Sequence, residues 1–308
     1  MEIALQFVLL ALGFVMLAKG ADWFVEGAAG IAMRFGIPQL VIGLTIVAMG
    51  TSAPEAAVSI AAAVKGNADI TIGNIVGSNI LNILVILGLA ASIVPIAVAR
   101  STVRIEIPFM IAVTALLFYQ GRDGSISLAD GGVLMVAFAV YMMYLYTMAM
   151  RSNVDSDLEE PGLPLGRCLL GAVGGLALII AGSNVTVGAA TSIATYAGLS
   201  ERFIGLTIVA LGTSLPELFT SVAAARRGNA DIAIGNIVGS NIFNILFVVG
   251  LSALIIDIPF ASAFNFDTYV ALGAAVLLLL CVLRTQKLQR WAGALMLVCY
   301  AAYLGYIL

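Results

Sequence analysis

The chain has 308 residues, of which 62% are hydrophobic and only 10% are charged, and its mean hydropathy is +1.10. This composition excludes a soluble globular protein and predicts an integral membrane protein. The formal net charge of −3 and the absence of a basic run give no indication of nucleic acid, and the three cysteines lack the spacing of a metal site or a disulfide framework.

Apolar runs long enough to cross about 30 Å of hydrocarbon recur along the whole chain. We predict an all-α integral membrane protein with ten transmembrane helices. The predicted spans are roughly 3–18, 38–64, 72–94, 105–121, 128–150, 167–183, 200–225, 234–256, 266–284 and 290–307. The first run lacks a basic n-region and is interpreted as a span rather than a removed signal peptide. The less apolar stretch 20–37 is predicted to be a linker that holds at most a short interfacial helix.

Basic residues predict the orientation of these spans. With the N-terminus outside, eleven Lys and Arg residues fall on one side of the membrane and three on the other. By the positive-inside rule the side with eleven is cytoplasmic, so both termini are predicted to be extracytoplasmic in a multi-pass protein of the cell membrane. The acidic, proline-containing loop 151–166 is interpreted as a cytoplasmic connector between an N-terminal half (1–150) and a C-terminal half (167–308). A regulatory cation site in this loop is the alternative.

One stretch occurs twice. Gly43–Leu89 and Gly205–Leu251 align without a gap at an offset of 162 residues, and 34 of their 47 positions are identical. The offset spans five predicted crossings, an odd number, so the second five-helix half is predicted to be inverted relative to the first. Inverted repeats are typical of secondary transporters, which bind their substrates between the repeats near the bilayer midplane.

Each repeat carries one glutamate, Glu55 or Glu217, inside an apolar run. A carboxylate near the bilayer centre costs about 2.5–3.5 kcal/mol on the insertion scale, so such an acid indicates an ion or proton site. The alternatives are a structural ion pair or a protonated glutamate. An ion pair has no obvious partner, because neither run contains Lys or Arg and the chain has no His.

Proline precedes each glutamate, in GTSAPE and GTSLPE. Pro54 and Pro216 are predicted to kink their helices and to free the carbonyls of Gly50 and Gly212. We expect these carbonyls to face a cation, and a packing kink without a ligand is the alternative.

Polar residues at i, i+4 and i+8 predict four stripes that enclose an oxygen-lined site. The stripes are Thr51, Glu55 and Ser59; Asn74, Ser78 and Asn82; Thr213, Glu217 and Ser221; and Asn236, Ser240 and Asn244. Asn74 and Asn236 can instead link helices. The G-x-x-x-G pairs of these spans are interpreted as helix packing, and Asp69 and Asp231 as solvated turn acids or a cation entrance.

Carboxylates, hydroxyls, amides and carbonyls are hard oxygen ligands, which favour Ca²⁺, Mg²⁺ or alkali ions over zinc and copper. Flexible coordination by many protein oxygens suits Ca²⁺ better than Mg²⁺. The residues alone leave Na⁺ and H⁺ open as the counter-ion. A passive cation channel is a further alternative, and a hydrolase lacks a candidate active site, so no enzyme, cofactor or protein partner is predicted.

The twin GTSxPE segments, each followed by GNxxGSNxxN, resemble the α-repeats of the sodium/calcium exchanger family, within the calcium/cation antiporter superfamily, in a prokaryotic-type form with two repeats. The resemblance implies electrogenic exchange of several Na⁺ for one Ca²⁺ by alternating access, with spans one and six as sliding gating helices. A Ca²⁺/H⁺ antiporter of the same superfamily is the alternative.

The resemblance also implies roles for individual residues. Glu55 and Glu217 are the shared ion carboxylates, and the backbone carbonyls of Thr51 and Thr213 complete a Ca²⁺ site that has Asn82 and Asn244 at its midpoint. Two peripheral Na⁺ sites are implied, which comprise Thr51, Ser52, Ser78 and the Ala48 carbonyl, and Thr213, Ser214, Ser240 and the Ala210 carbonyl. Some potassium-dependent relatives have aspartate in place of Asn244, so we expect no potassium requirement here.

Overall fold

The computed structural model describes residues 2–66, 68–152, 163–198 and 210–307. These residues form helices, short turns and two pairs of very short strands. The helices are α1 Glu2–Phe35, α2 Gln39–Thr51, α3 Ala53–Val64, α4 Ile70–Ile93, α5 Thr102–Asp123, α6 Leu128–Ser152, α7 Leu165–Tyr196, α8 Ala210–Thr213, α9 Leu215–Arg226, α10 Ala230–Ile255, α11 Phe264–Val282 and α12 Arg290–Ile307.

Most of the predicted spans are helices of nearly the predicted bounds, which confirms an all-α membrane protein. Eight described helices are long and apolar enough to cross a membrane, and α2 and α3 form a ninth, broken span. Helices α8 and α9 cover only the end of the predicted span 200–225. The beginning of that span and most of the connector 151–166 lie outside the described residues, so the total of ten helices stays a prediction.

Helices α1 and α7 are much longer than the predicted spans 3–18 and 167–183, and the prediction of a linker at 20–37 was wrong. Helix α1 continues through this stretch because it contains no proline before Pro38 and buries one face at helical spacing. The buried residues of that face are Leu17, Ala21, Phe24, Val25, Ala28 and Ala32. This face packs along α7, where glycines let the two backbones approach closely.

The strands link the two halves of the chain in a symmetric way. Strand β1 (Ile96–Ala97) pairs antiparallel with β4 (Lys287–Leu288), and β2 (Ser125–Ile126) pairs antiparallel with β3 (Ile258–Pro259). Ile96 lies opposite Leu288, and Ile126 lies opposite Ile258. Since 96 + 162 = 258 and 126 + 162 = 288, the second pairing is the first with the halves exchanged. The two halves therefore contact each other through matching pairs of segments.

Helices α4 and α10 are the most buried spans and form the centre of the bundle. Helix α10 packs on α2 through the predicted G-x-x-x-G pair of its sequence. A Cβ atom at Gly235 would lie 3.1 Å from the Cα of Gly43, and one at Gly239 would lie 2.8 Å from the Cα of Leu44. These glycines bring α10 against the helix that ends at the predicted ion site, which confirms the packing interpretation for this pair. In the other pair, a Cβ at Gly73 would meet the Phe264 ring at 3.2 Å, and one at Gly77 would meet no described atom within 4 Å.

Candidate ion-binding site

In both proline-containing segments the helix breaks at a serine that lies two residues before the proline. Ser52 leaves the helical conformation (φ −80°, ψ 5°), and Ser214 does the same (φ −90°, ψ 4°). Helices α2 and α3 meet there at a bend of 52°. A proline in the first turn of the new helix needs no backbone hydrogen bond, so the break is the expected place for Pro54 and Pro216. The predicted kinks are confirmed.

The carbonyl freed at the second kink accepts a hydrogen bond from a neighbouring helix. The Ser183 hydroxyl of α7 donates a hydrogen bond of 2.7 Å to the Gly212 carbonyl. This bond uses one of the two lone pairs of the carbonyl oxygen, so the expectation that this carbonyl faces a cation stays a prediction. The bond also ties α7 to the kink.

The kinks place each serine against the glutamate of the other half. The Ser52 hydroxyl donates to Glu217 Oε1 over 2.9 Å, and the Ser214 hydroxyl donates to Glu55 Oε1 over 3.3 Å. Both glutamates are 1% exposed and near enough to each other for their charges to interact. The second oxygen of each carboxylate, Oε2, is buried and has no hydrogen-bond partner among the described residues.

Four asparagines on α4 and α10 form a reciprocal hydrogen-bonded group. Asn82 Nδ2 donates to Asn241 Oδ1 over 2.9 Å, and Asn244 Nδ2 donates to Asn79 Oδ1 over 3.2 Å. Asn79 Nδ2 and Asn241 Nδ2 each donate over 3.2 Å to the backbone carbonyl of the other. With their amide nitrogens held in this way, Asn82 and Asn244 keep a buried Oδ1 that has no partner in the described part of the chain.

Asn79 and Asn241 were not among the predicted site residues. We do not expect them to bind an ion directly, because the side-chain nitrogen and the side-chain oxygen of each already form a hydrogen bond. Their signal in the sequence is the identical GSNxxN segment of both repeats, in which they precede Asn82 and Asn244 by three residues. We interpret them as the residues that position the two free amide oxygens.

Asn74 and Asn236 link helices, which was the alternative interpretation of their stripe position. Each side-chain amide donates over 2.9 Å to a serine hydroxyl, Ser59 or Ser221, of the preceding helix. Asn236 Oδ1 also accepts a bond of 3.0 Å from the Thr51 hydroxyl. Because the side-chain nitrogens of Asn74 and Asn236 are bound by neighbouring helices, we interpret these residues as links that support the site.

The residues of the two implied Na⁺ sites contact each other in a grouping that differs from the expected one. The Ala48 carbonyl accepts bonds of 3.3 Å from both Thr51 and Ser240. Ser240 was grouped with Thr213, Ser214 and the Ala210 carbonyl, so the structure joins residues of the two expected sets. Ser78 is buried. Thr213 lies beside Glu55, and Ala210 begins α8.

Within the described part of the chain, no basic group pairs with the carboxylates of the site. The ion pairs found among the described residues join Arg227 to Asp22 and Glu26 at the surface, over 3.3 and 3.1 Å. Neither Glu55 nor Glu217 forms an ion pair with another described residue. Two buried carboxylates and two amide oxygens without partners form an arrangement that a bound hard cation would complete.

Comparison with known proteins identifies the family. Residues 5–147 and 168–308 match the sodium/calcium exchanger protein family. The chain is 41% identical to the putative antiporter CaxA of Alkalimonas amylolytica over 99% of this chain and 98% of the relative. It is 33% identical to the sodium/calcium exchanger MaX1 of Methanosarcina acetivorans, over 98% of both chains.

A solved structure shares the same fold. The sodium-calcium exchanger NCX_Mj, soaked with Na⁺ and Sr²⁺, superposes with a TM-score of 0.86 at 34% identity, over 98% of this chain and 99% of that chain. The fold is therefore that of a multi-pass membrane antiporter. Together with the paired motifs and the uncompensated carboxylates, these similarities show that the chain belongs to the sodium/calcium exchanger family.

Proposed function

We propose that this protein exchanges Na⁺ for Ca²⁺ across the cell membrane, and that both ions are its substrates. The observation that carries the proposal is a set of four buried oxygens that have no hydrogen-bond partner among the described residues, namely Glu55 Oε2, Glu217 Oε2, Asn82 Oδ1 and Asn244 Oδ1. Two carboxylates balance the charge of one Ca²⁺, and the amide oxygens add neutral ligands of the kind that Ca²⁺ prefers. Transport of this kind makes no covalent bond and needs no catalytic residue.

Sodium ions are proposed to bind beside the Ca²⁺ position, near the serine–glutamate pairs. On one side, the Ala48 carbonyl and the Thr51 and Ser240 hydroxyls supply uncharged oxygens, and Ser52 lies next to the Glu217 carboxylate. By the repeat, we expect the Ala210 carbonyl with Thr213, Ser78 and Ser214 to supply the other side. Because each proposed Na⁺ position shares a glutamate with the Ca²⁺ position, Ca²⁺ and Na⁺ would compete for the same two negative charges.

We infer that the halves 1–150 and 167–308 have opposite orientations, with the connector 151–166 in the cytoplasm and both termini outside. The reciprocal strand pairings and hydrogen bonds support an approximate two-fold relation between the halves. Such a relation suits alternating access, because each half can form the gate on its own side of the membrane. A cysteine in place of Lys65 should react with an impermeant thiol reagent from outside only, and reaction from inside only would contradict the orientation.

A Ca²⁺/H⁺ antiporter is the second candidate, because two close carboxylates without a basic partner can also carry protons. Uptake of ⁴⁵Ca²⁺ into proteoliposomes separates the two functions. Exchange of Na⁺ for Ca²⁺ predicts uptake that is driven by an outward Na⁺ gradient and persists with a protonophore. Uptake that needs a proton gradient and ignores Na⁺ would refute Na⁺ exchange and support the second candidate.

The same assay tests the site. Glu55→Gln and Glu217→Gln should each abolish Ca²⁺ uptake, because a neutral amide leaves half of the Ca²⁺ charge unbalanced. Glu26→Gln is the matched control, since Glu26 is an exposed acid that pairs with Arg227 at the surface, and it should leave the uptake near the wild-type level. Normal uptake in either site variant would show that the carboxylates do not hold Ca²⁺.

A further inference from the structure

A third buried carboxylate lies outside the site described above. Glu106 of α5 is 0% exposed, and Tyr144 of α6 donates a hydrogen bond to its Oε1. Its Oε2 is buried and has no hydrogen-bond partner among the described residues, and none of the ion pairs found there includes it. An isolated buried carboxylate without a partner for one oxygen is costly, so this group needs an explanation.

The groups around Glu106 are also incompletely satisfied. The Thr102 hydroxyl and the Tyr141 hydroxyl are buried at 0% and 3% exposure, and neither has a hydrogen-bond partner in the described part of the chain. Thr102 lies four residues before Glu106 on α5 and therefore shares a helix face with it. Tyr141 and Tyr144 are three residues apart on α6, and their rings stack with centroids 6.5 Å apart. The hydrogen bond from Tyr144 to Glu106 joins these two helix faces, so one carboxylate, one aliphatic hydroxyl and two phenols lie in the same region.

The local backbone is specialised at this place. Thr102–Glu106 is a π-helical segment, in which the Ile107 amide donates to the Thr102 carbonyl. Pro108 favours this wider turn, because it cannot donate a backbone hydrogen bond and its ring clashes with the carbonyl four residues earlier. The other π-helical segments of the described chain lie in the repeat helices of the central site, at Gly43–Val47, Asn82–Leu87 and Asn244–Val249. Turns of this kind are frequent at functional sites.

The duplication does not account for this cluster. Since 106 + 162 = 268 and 102 + 162 = 264, the matching positions are Thr268 and Phe264, and Thr268 uses its hydroxyl on the Phe264 carbonyl of its own helix over 2.7 Å. The second half does contain an acid–tyrosine pair, in which the Tyr303 hydroxyl donates to Asp267 over 2.8 Å. That acid is half-buried and is not accompanied by orphaned hydroxyls in the described chain.

We propose that Glu106, Thr102, Tyr141 and Tyr144 form a second cation site, which binds one alkali-metal ion between α5 and α6. All of its ligand atoms are oxygens, so it selects a hard cation. Its single carboxylate matches one positive charge, which favours Na⁺ or K⁺ over a divalent ion. This site is separate from the transport site and does not depend on the exchange proposed above.

Equilibrium binding of ²²Na⁺ to the detergent-solubilised protein tests the proposal. In a Glu55→Gln/Glu217→Gln background, which weakens the central site, one saturable Na⁺ per chain should remain, and addition of Glu106→Gln should weaken it at least tenfold. Asp267→Asn is the matched control, because it removes the other acid–tyrosine pair, and it should leave this binding unchanged. In the otherwise unmodified protein, Glu106→Gln should lower the bound Na⁺ by one per chain.

Several outcomes would overturn the site. The first is that the Glu55→Gln/Glu217→Gln protein binds no saturable Na⁺ although it melts like the wild type. The second is that Glu106→Gln leaves the Na⁺ binding of this background unchanged. The third is that Asp267→Asn weakens the binding as much as Glu106→Gln does. Displacement of ²²Na⁺ by K⁺ at lower concentration than by Ca²⁺ supports an alkali-metal site, and the reverse order contradicts it. If Glu106→Gln does not fold, Tyr144→Phe decides, since loss of a phenol ligand should weaken Na⁺ binding several-fold and unchanged affinity refutes the site.

Discussion

The close packing of α1 on α7 provides a sharp test of the fold, because two adjacent glycines differ in their surroundings. A Cβ atom added at Gly175 would lie 2.5 Å from the Phe24 amide nitrogen and 2.7 Å from the Gly20 carbonyl oxygen. At Gly174 it would meet no described atom within 4 Å. We therefore predict that Gly175→Ala destabilises the protein and that Gly174→Ala does not.

The size of the effect follows from these distances. Ordinary Cβ contacts begin at 3.4 Å, so the backbones of α1 and α7 must separate by up to 3.4 − 2.5 = 0.9 Å to admit the methyl group at Gly175. Overpacking of this kind costs about 1–3 kcal/mol. Both variants gain about 0.5–1 kcal/mol from the higher helix propensity of alanine, and this gain cancels when the two are compared. The expected difference in stability between them is therefore about 1–3 kcal/mol.

Thermal unfolding of the purified variants in detergent measures this difference. Gly175→Ala should unfold several degrees below Gly174→Ala, and Gly174→Ala should match or exceed the wild type. Equal melting temperatures for the two variants would show that α1 and α7 are not in backbone contact at this level. If these helices also slide during transport, Ca²⁺ uptake should be slower in Gly175→Ala even at temperatures where it is fully folded.

Two further substitutions test the polar contacts. Asn241→Ala leaves the buried Asn82 amide without its acceptor, a loss of about 1–3 kcal/mol. Because the freed amide can turn away, the variant should raise the KM for Ca²⁺ about 5- to 150-fold in uptake assays. An unchanged KM would contradict the positioning role of Asn241. Ser183→Ala removes the bond to the Gly212 carbonyl and should lower stability by about 0.5–1.5 kcal/mol in thermal unfolding, whereas Ser192→Ala, which removes an exposed bond within one helix, should have no measurable effect. Equal melting temperatures for the two serine variants would show that the Gly212 carbonyl does not need this donor.

The sequence predicted those parts of the fold that depend on local chemistry. The lengths of the apolar runs predicted the spans, because the thickness of the bilayer sets the length of a helix that crosses it. Pro54 and Pro216 predicted the kinks, because the missing N–H acts within one turn of the chain. The acids Glu55 and Glu217 were predicted as site residues from their burial cost, and the structure brings them near each other.

Features that depend on the other half of the chain could not be predicted in this way. The stretch 20–37 resembled a linker because Asp22 and Glu26 interrupt its apolar run, yet Arg227 pairs with both acids across the bundle. The grouping of Ser240 with Ala48 also crosses the halves, since these residues are 192 positions apart. Spacing along one helix indicates which residues share a face, but it does not indicate which face of another helix lies opposite.

The reciprocal contacts explain why the site requires both halves at once. Each half supplies the serine that fixes a glutamate of the other, and each supplies the asparagine that holds an amide of the other. One half alone would therefore contain a buried acid and a buried amide without their partners, an arrangement that costs several kcal/mol in an apolar medium. When the halves meet, they satisfy one oxygen of each carboxylate and the amide nitrogens, and they leave four oxygens that have no hydrogen-bond partner among the described residues. A bound cation that prefers oxygen ligands would satisfy these four oxygens, and the contacts that join the repeats would then also form its site.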